Sequence, residues 1–200
     1  MGEYDGSERP AVLSQAPRTF IHKDGSAEGG EAEMDAKTQA WLDQEDARIV
    51  AVIREHGWAI TYVGGEHCSY PGCNNPPGDD PPFAYTTGLF GLGHPELLVF
   101  GLNPHDSAGL LNSLGDRIRE GEALLPGMMT TVGEWPHRVI PEEVPNPGEI
   151  VFEANRFYQR PSQASVPVLQ LSYDDARGLF PWDEGFDSPE TQPRPGTFRA

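Results

Sequence analysis

The sequence predicts an α+β fold, with three helices packed on a mixed or antiparallel sheet of about five or six strands in a single domain. Apolar residues recur at helical spacing in three separate segments, and short runs of β-branched and aromatic residues lie between and after them. An apolar fraction of 37%, including 10% aromatic residues, is enough to build a core for 200 residues. A small split barrel is the main alternative for the sheet.

Both ends of the chain are expected to be disordered. Residues 1–33 mix Gly, Ser, Pro and acidic residues without periodicity, apart from an apolar patch at Phe20 and Ile21 that either stays free or docks as a strand. Residues 188–200 are polar and rich in Pro. The globular domain is therefore expected to span residues 34–187.

Three helices are expected inside this domain. The first starts near Met34 and ends at Gly57. Asn103-Pro104 and Asn146-Pro147 each place Pro directly after a capping Asn, which is a typical helix start. Strands are expected at residues 58–63, 83–87, 96–102, 128–132, 137–140 and 166–172.

A long loop at residues 64–82 interrupts the domain, because its Pro and Gly residues exclude both helix and strand. It is either a lid over a binding site or an insertion. The loop carries His67, Cys68 and Cys73, but a structural zinc site needs four ligands, and adjacent residues share a metal only with a strained backbone. We therefore expect no metal and no cofactor, and cysteines that either stay as thiols or pair only outside the cell.

The charge and hydropathy of the chain exclude several classes of function. A formal net charge of −17 repels phosphate backbones and anionic lipids, so neither nucleic-acid nor membrane binding is expected. No apolar run approaches the roughly 20 residues of a membrane span, and the first residues do not have the pattern of a signal peptide. We expect a cytoplasmic protein.

Two motifs around the expected Gly-rich turn fail on closer inspection. Gly88, Gly91 and Gly93 follow a strand, but Glu96 stands where a dinucleotide-binding turn needs a third Gly, and a strand follows instead of a helix. His94 and Glu96 match half of the zinc deaminase signature, whose downstream cysteine pair is missing. The paired acids Asp174 and Asp175 are expected in a solvated turn.

The stretches AYTTGL, HPELLVFGL and LQLSYDDARGLFPWD resemble the signatures of a bacterial family known as domain of unknown function 4262. The resemblance covers about residues 45–186. It departs at Ser172-Tyr173, where a Val-Trp-like pair is expected, and in the longer loop at 64–82. It implies a bacterial origin and a shared fold, and it brings no activity with it. The matching positions are Tyr85, Thr86, Gly88, Leu89, His94, Pro95, Glu96, Leu97, Asp175, Gly178, Phe180, Pro181 and Trp182.

Candidate site residues come from the strand at 83–87, the turn after it and the aromatic segment at 175–182. We expect binding residues at Tyr85, Thr87, Asp175 and Trp182, with Trp182 directed inward beside the strand that carries Tyr85. His94, Glu96 and His137 are the candidates for acid–base catalysis, since histidine titrates near neutral pH.

Three functions stay open on the sequence alone. The first is a module that binds a small molecule or another protein where Tyr85, His94 and the segment 175–182 converge. The second is an enzyme with acid–base chemistry in that same cleft. The third is a structural or regulatory partner of another protein. An enzyme would need two titratable groups within hydrogen-bond reach in one pocket.

Overall fold

The computed structural model describes residues 13–15, 36–64 and 80–200. These residues form three helices and one open sheet of seven strands in the order β1-β2-β3-β4-β7-β6-β5. The α+β class is confirmed, and the split barrel is wrong because the sheet formed by these residues is not closed. The strands are β1 (Leu13–Gln15), β2 (Ala59–Val63), β3 (Phe83–Thr87), β4 (Glu96–Phe100), β5 (Thr130–Thr131), β6 (Arg138–Glu143) and β7 (Val168–Tyr173). The helices are α1 (Ala36–His56), α2 (Pro104–Arg119) and α3 (Phe152–Phe157).

The sheet consists of two antiparallel halves joined by one parallel pair. Strands β2, β3 and β4 form the first half, and β7, β6 and β5 form the second. The halves meet where β4 and β7 run parallel, with Leu98 opposite Gln170. At the outer edge of the first half, β1 pairs in parallel with β2.

Helix α2 covers one face of the sheet. Asn103 caps it by accepting the amide of Asp106 at 3.0 Å, as its sequence predicts. Gly115 lets the helix approach the Trp58 ring closely, because a Cβ at this position would lie 2.6 Å from a ring atom. The indole of Trp58 donates to Asn112 of the same helix at 3.0 Å. The close contact explains why a Gly is tolerated inside this helix.

The opposite face carries α3 and the C-terminal segment. Phe198 is only 9% exposed and packs with its ring centroid 5.3 Å from Phe83 and 4.9 Å from Phe100. Gln192 is buried and exchanges hydrogen bonds with the backbone of Tyr173. Residues 188–200 thus differ from the disordered tail expected from their composition, because Phe198, Gln192 and polar contacts such as the ion pair of Arg194 with Glu142 at 2.7 Å anchor an otherwise polar segment.

Other local features differ from the sequence-based expectations in smaller ways. The turn after β3 contains a 3-10 helix, Leu89–Leu92, and the helix expected from Asn146 becomes a 3-10 turn followed by the six-residue α3. Within residues 1–33 the described strand is β1, whereas Phe20 and Ile21 lie outside the described residues, as do His67, Cys68 and Cys73. In the described part of the chain, no helix is long and apolar enough to cross a membrane.

Candidate functional site

Glu96 holds the turn after β3 together. Its buried carboxylate accepts hydrogen bonds from the Thr86 hydroxyl at 2.6 Å and from the amides of Gly88, Leu89 and Phe90 at 2.8, 3.2 and 3.1 Å. Burial raises the pKa of this carboxyl, and the four donors oppose that effect. The amides that could have bound an anionic ligand are thus occupied by the protein's own carboxylate, and neither oxygen of Glu96 is available for catalysis.

His94 has a similar structural role. Its Nε2 accepts the amide of Leu124 at 3.2 Å, and its Nδ1 lies 2.8 Å from the carbonyl oxygen of Pro95. Nδ1 therefore carries the proton and donates it to this carbonyl. Both ring nitrogens are used to connect the turn after β3 with the loop after α2, so His94 has no nitrogen left for a substrate.

Tyr85 and Thr87 lie on the face of β3 beneath α3 and are buried. The hydroxyl of Tyr85 accepts the amide of Glu153 at 3.2 Å, and burial raises the pKa of this phenol. Neither residue can contact a ligand that approaches from solvent. Both belong to a buried polar cluster that also contains Thr61 and Glu153.

Asp175 organises the loop that follows β7. Its carboxylate accepts the amides of Arg177 at 2.8 Å and Leu179 at 2.9 Å, and it also pairs with the Arg177 guanidinium at 3.0 Å. Desolvation opposes these donors, but together they lower the pKa of Asp175 to about 2. Its bonds are made within its own loop, which is a structural role.

Trp182 is directed outward, so the expectation that it packs inward beside the strand of Tyr85 is wrong. It is 42% exposed, whereas Phe180 is buried. Trp182 stacks in parallel on Phe180 at 4.8 Å, and the guanidinium carbon of Arg194 lies 4.6 Å from its ring centroid. These contacts within the chain reduce the ring surface that a partner could use.

The expected convergence of these residues does not occur. His94 and Glu96 lie at the start of β4, and Asp175 follows the end of β7. Because β4 and β7 run parallel, the two groups lie at opposite ends of the sheet, about 20 Å apart over a six-residue strand.

His137 is the remaining candidate, and its surroundings differ from those of His94. Its Nδ1 is buried and lies 3.5 Å from a carboxylate oxygen of Asp174, a residue at the end of β7. The imidazole side chain is 26% exposed. Since Nδ1 itself is buried, the exposed part of the ring lies away from Asp174. We call Trp135, His137, Tyr173 and Asp174 the His137 site.

Asp174 accepts hydrogen bonds from Arg138 through both of its oxygens. One oxygen accepts the Arg138 amide at 2.8 Å, and the other accepts its Nε at 2.6 Å. The same guanidinium donates to the carbonyl of Gly178 at 2.6 Å and lies 5.3 Å from the Phe180 ring centroid. Asp174 was expected in a solvated turn, but it is buried, orients Arg138 and lies beside His137 without a hydrogen bond to it.

Two aromatic rings pack around His137. The ring centroids of Trp135 and Tyr173 lie 5.1 and 5.8 Å from the imidazole, and 5.4 Å from each other. An ammonium group between the three rings would lie only about 3 Å from each centroid, too close for the cation–π contacts seen in aromatic cages. A ligand can therefore contact the exposed edge of this cluster but not enter it.

Tyr173 completes the polar contacts of the site. Its hydroxyl donates to the carbonyl of Phe100 at 3.3 Å. Burial, together with the charge of Asp106 at the start of α2, raises the pKa of Tyr173 to about 12. The phenol is therefore neutral at physiological pH and acts as a hydrogen-bond donor.

Sequence reasoning identified His137 but missed Trp135, Arg138, Tyr173 and Asp174 as its neighbours. Asp174 was visible only as half of an acidic pair, and its contact with His137 depends on the pairing of β6 with β7. The short segment Trp135-Pro136-His137 immediately before β6 was the available signal.

The described residues contain no group of three His, Cys, Asp or Glu side chains placed to hold a metal ion. No curated protein and no solved structure matches the chain. A family model described as Domain of unknown function (DUF4262) matches residues 52–187, close to the region covered by the sequence resemblance. This match includes the turn held by Glu96 as well as the His137 site, and the chain therefore belongs to the DUF4262 family.

Proposed function

We propose that the protein binds a small neutral polar molecule at the exposed edge of the His137 site. The observation that carries the proposal is that His137 combines a buried carboxylate partner with an accessible ring edge. The other two acid–base candidates, His94 and Glu96, use their polar atoms in structural hydrogen bonds. A hydroxyl or amide N–H group on the ligand could donate to the outer imidazole nitrogen, which is the acceptor in the tautomer that Asp174 favours.

The charges around the site favour a neutral ligand. Asp174 and Arg138 form an ion pair, so neither offers an uncompensated charge to a ligand. The net charge of −17 opposes the approach of anions. The rings of Trp135 and Tyr173 add partly buried apolar surface beside the polar edge, a combination typical of small-molecule sites.

The position in the fold also supports binding. The site lies at the end where the neighbouring parallel strands β4 and β7 finish and where α2 begins. In open sheets with parallel strands, ligands commonly bind beyond the carboxyl ends of such strands. We further propose, from the charge and from the family resemblance, that this binding takes place in the bacterial cytoplasm.

Acid–base catalysis by His137 is the second candidate function. A buried carboxylate beside Nδ1 favours the tautomer in which the outer nitrogen can accept a proton, and it stabilises the imidazolium that forms. The distance of 3.5 Å between His137 and Asp174 would have to shorten on ligand binding. Arg138 limits Asp174 to a positioning role, because it already donates to both of its oxygens.

The proposal can be tested by nuclear magnetic resonance of the histidine side chains during titration with a library of neutral polar fragments. We expect saturable shifts of the His137 ring signals and their loss in His137→Gln. His56→Gln, at the end of α1 and at the opposite end of the sheet, is the matched control and should bind like the wild type. Fragments that bind His137→Gln with unchanged affinity, or a library that never shifts His137, would contradict the proposal.

The catalytic alternative needs a separate readout. Fragments that bind should also be offered as hydrolysable esters or amides, with product measured by mass spectrometry between about pH 5 and 8. Turnover that disappears in His137→Gln and rises with deprotonation of a single group would establish catalysis. Binding without turnover would leave a ligand-binding module.

A further inference from the structure

A second cluster of polar side chains lies inside the protein, beneath α3. Thr61, Tyr85, Thr87 and Glu153 are 0, 1, 0 and 6% exposed. The pairing of β2 with β3 places Thr61 directly opposite Tyr85, and Thr87 lies two residues further on the same face. The amide of Glu153 donates to the Tyr85 hydroxyl at 3.2 Å, which brings the start of α3 onto this part of the sheet.

Three oxygens in this cluster lack a hydrogen-bond partner within residues 13–15, 36–64 and 80–200. They are Oγ1 of Thr87, Oε1 of Glu153 and Oγ1 of Thr61, and of these Thr61 has the Tyr85 hydroxyl beside it. Native proteins rarely leave buried polar atoms unpaired, because each would lose the hydrogen bonds that it makes with water in the unfolded chain. Several such atoms around one tyrosine therefore point to an occupant that supplies the missing interactions.

The charges next to the cluster leave an excess of one negative charge. The second oxygen of Glu153 pairs with Arg156 at 2.7 Å, and Arg156 also pairs with Asp46 of α1 at 2.7 Å. The nearby Glu45 has Arg48 at 3.8 Å. Two carboxylates thus share one guanidinium. Burial raises the pKa of Glu153 to about 6 even though Arg156 lowers it, which agrees with incomplete neutralisation.

We propose that Thr61, Tyr85, Thr87 and Glu153 form a binding site for a monovalent cation. All four side chains offer oxygen, the ligand atom that hard cations prefer, and none offers the sulfur or nitrogen favoured by softer metals. One positive charge would balance the excess carboxylate, whereas a divalent ion would leave a positive surplus in the interior. The unpaired oxygens are closed to solvent, so the occupant has the size of an ion rather than of an organic molecule.

The cation would connect elements that are distant in sequence. Thr61 and Thr87 belong to neighbouring strands, and Glu153 belongs to α3, which Arg156 ties to α1. Binding would therefore hold α3 on the sheet and stabilise the folded state by an amount that grows with the logarithm of the cation concentration once this exceeds the Kd. This site lies on β2 and β3, away from Tyr173 and Asp174 at the end of β7, and its existence does not depend on the function proposed for His137.

Thermal unfolding of the full chain in chloride salts tests the proposal. Sodium, potassium and ammonium are compared with tetramethylammonium, which is too large to enter, at one ionic strength of about 0.1 M so that screening is equal. We expect at least one small cation to raise Tm by about 3 °C or more, with a rise that grows with its concentration. Identical Tm values in the four salts would overturn the proposal.

Two threonine variants locate the effect. Thr87→Val keeps the shape of the side chain and removes one oxygen, so the dependence of Tm on the cation should be lost or strongly reduced. Thr131→Val, at an exposed position on the edge strand β5, is the matched control and should keep it. Full cation dependence in Thr87→Val would place the ion elsewhere and overturn the assignment.

A crystallographic measurement on the wild type avoids any problem with folding of the variants. Crystals soaked in thallium(I), which replaces potassium and scatters anomalously, should show a peak within about 3 Å of the Thr61, Thr87 and Glu153 oxygens. Ordered water alone at this position, with no anomalous signal, would show that water satisfies the cluster and that the cation proposal is wrong.

Discussion

The substitution Glu96→Gln tests how strongly one buried carboxylate stabilises the turn between β3 and β4. Oε1 accepts the amides of Gly88 and Phe90, and Oε2 accepts the amide of Leu89 and the Thr86 hydroxyl. In glutamine one of these oxygens becomes an amide group that can only donate. If the amide replaces Oε1, the amides of Gly88 and Phe90 lose their acceptor. If it replaces Oε2, the amide of Leu89 loses its acceptor, while the Thr86 hydroxyl can rotate and accept from the glutamine amide.

The magnitude follows from these contacts. A hydrogen bond to a charged group contributes about 1.5–3 kcal/mol, so the loss of one or two would cost about 1.5–6 kcal/mol. Part of this cost is recovered, because glutamine removes a charge whose burial is unfavourable, as the raised pKa of Glu96 indicates. We therefore expect Glu96→Gln to lower the free energy of unfolding by about 3 kcal/mol, a large share of the roughly 5–15 kcal/mol of a typical domain.

Urea unfolding at pH 7, followed by tryptophan fluorescence, measures this difference from the midpoint and the slope. Glu143→Gln is the matched control, because Glu143 is exposed at the end of β6 and should change stability by less than about 0.5 kcal/mol. A loss below about 1 kcal/mol for Glu96→Gln, or an equal loss for both variants, would refute the assigned role of the carboxylate.

Four further predictions concern other parts of the molecule. Phe198→Ala should destabilise the protein by about 3 kcal/mol in urea unfolding, because Phe198 packs on Phe83 and Phe100; a change near zero would mean that residues 188–200 are not anchored. The native pKa of Glu153, about 6, lies above its ordinary 4.5, so the folded state binds more protons between these values. The free energy of unfolding should therefore fall by about 2 kcal/mol as pH rises from 4.5 to above 6 in tetramethylammonium buffer. Glu153→Gln should flatten this pH dependence, and an unchanged pH dependence in the variant would show that another group causes it. Trp182→Ala should lower the free energy of unfolding by only about 1–2 kcal/mol, the combined contribution of its stacking on Phe180 and its contact with Arg194. A decrease above about 3 kcal/mol would show that the Trp182 ring is buried. The double change of Cys68 and Cys73 to Ser should shift Tm by a few degrees at most, and stoichiometric zinc that disappears in this variant would show that the loop binds metal.

The sequence predicted the features that depend on local patterns. Asn103-Pro104 marked the start of α2, Gly57 marked the end of α1, and the alternation around Tyr85 identified β3. The prediction was less accurate where one side chain decides the outcome. Phe198 anchors a segment whose composition is that of a disordered tail, and no average over polar residues could show this.

The candidate site was harder to predict, because its parts come together only through the order of the strands. His137 and Asp174 meet across the pairing of β6 with β7, and Thr61 meets Tyr85 across the pairing of β2 with β3. His94 and Glu96 were chosen for their chemistry, but their hydrogen bonds serve the backbone. Residue type indicates what a side chain can do, whereas the distances to its neighbours decide what it does.

The single parallel pairing of β4 with β7 has a consequence for the order of folding. Strands β2, β3 and β4 succeed one another along the chain, and so do β5, β6 and β7, so each half can form by closing shorter loops than the pairing of β4 with β7 requires. The β4–β7 pairing requires residues 98 and 170 to meet, which is slow because distant contacts form only after the entropy of closing a long loop has been overcome. We therefore expect a folding intermediate in which amide hydrogens inside each half are protected from exchange before those between β4 and β7.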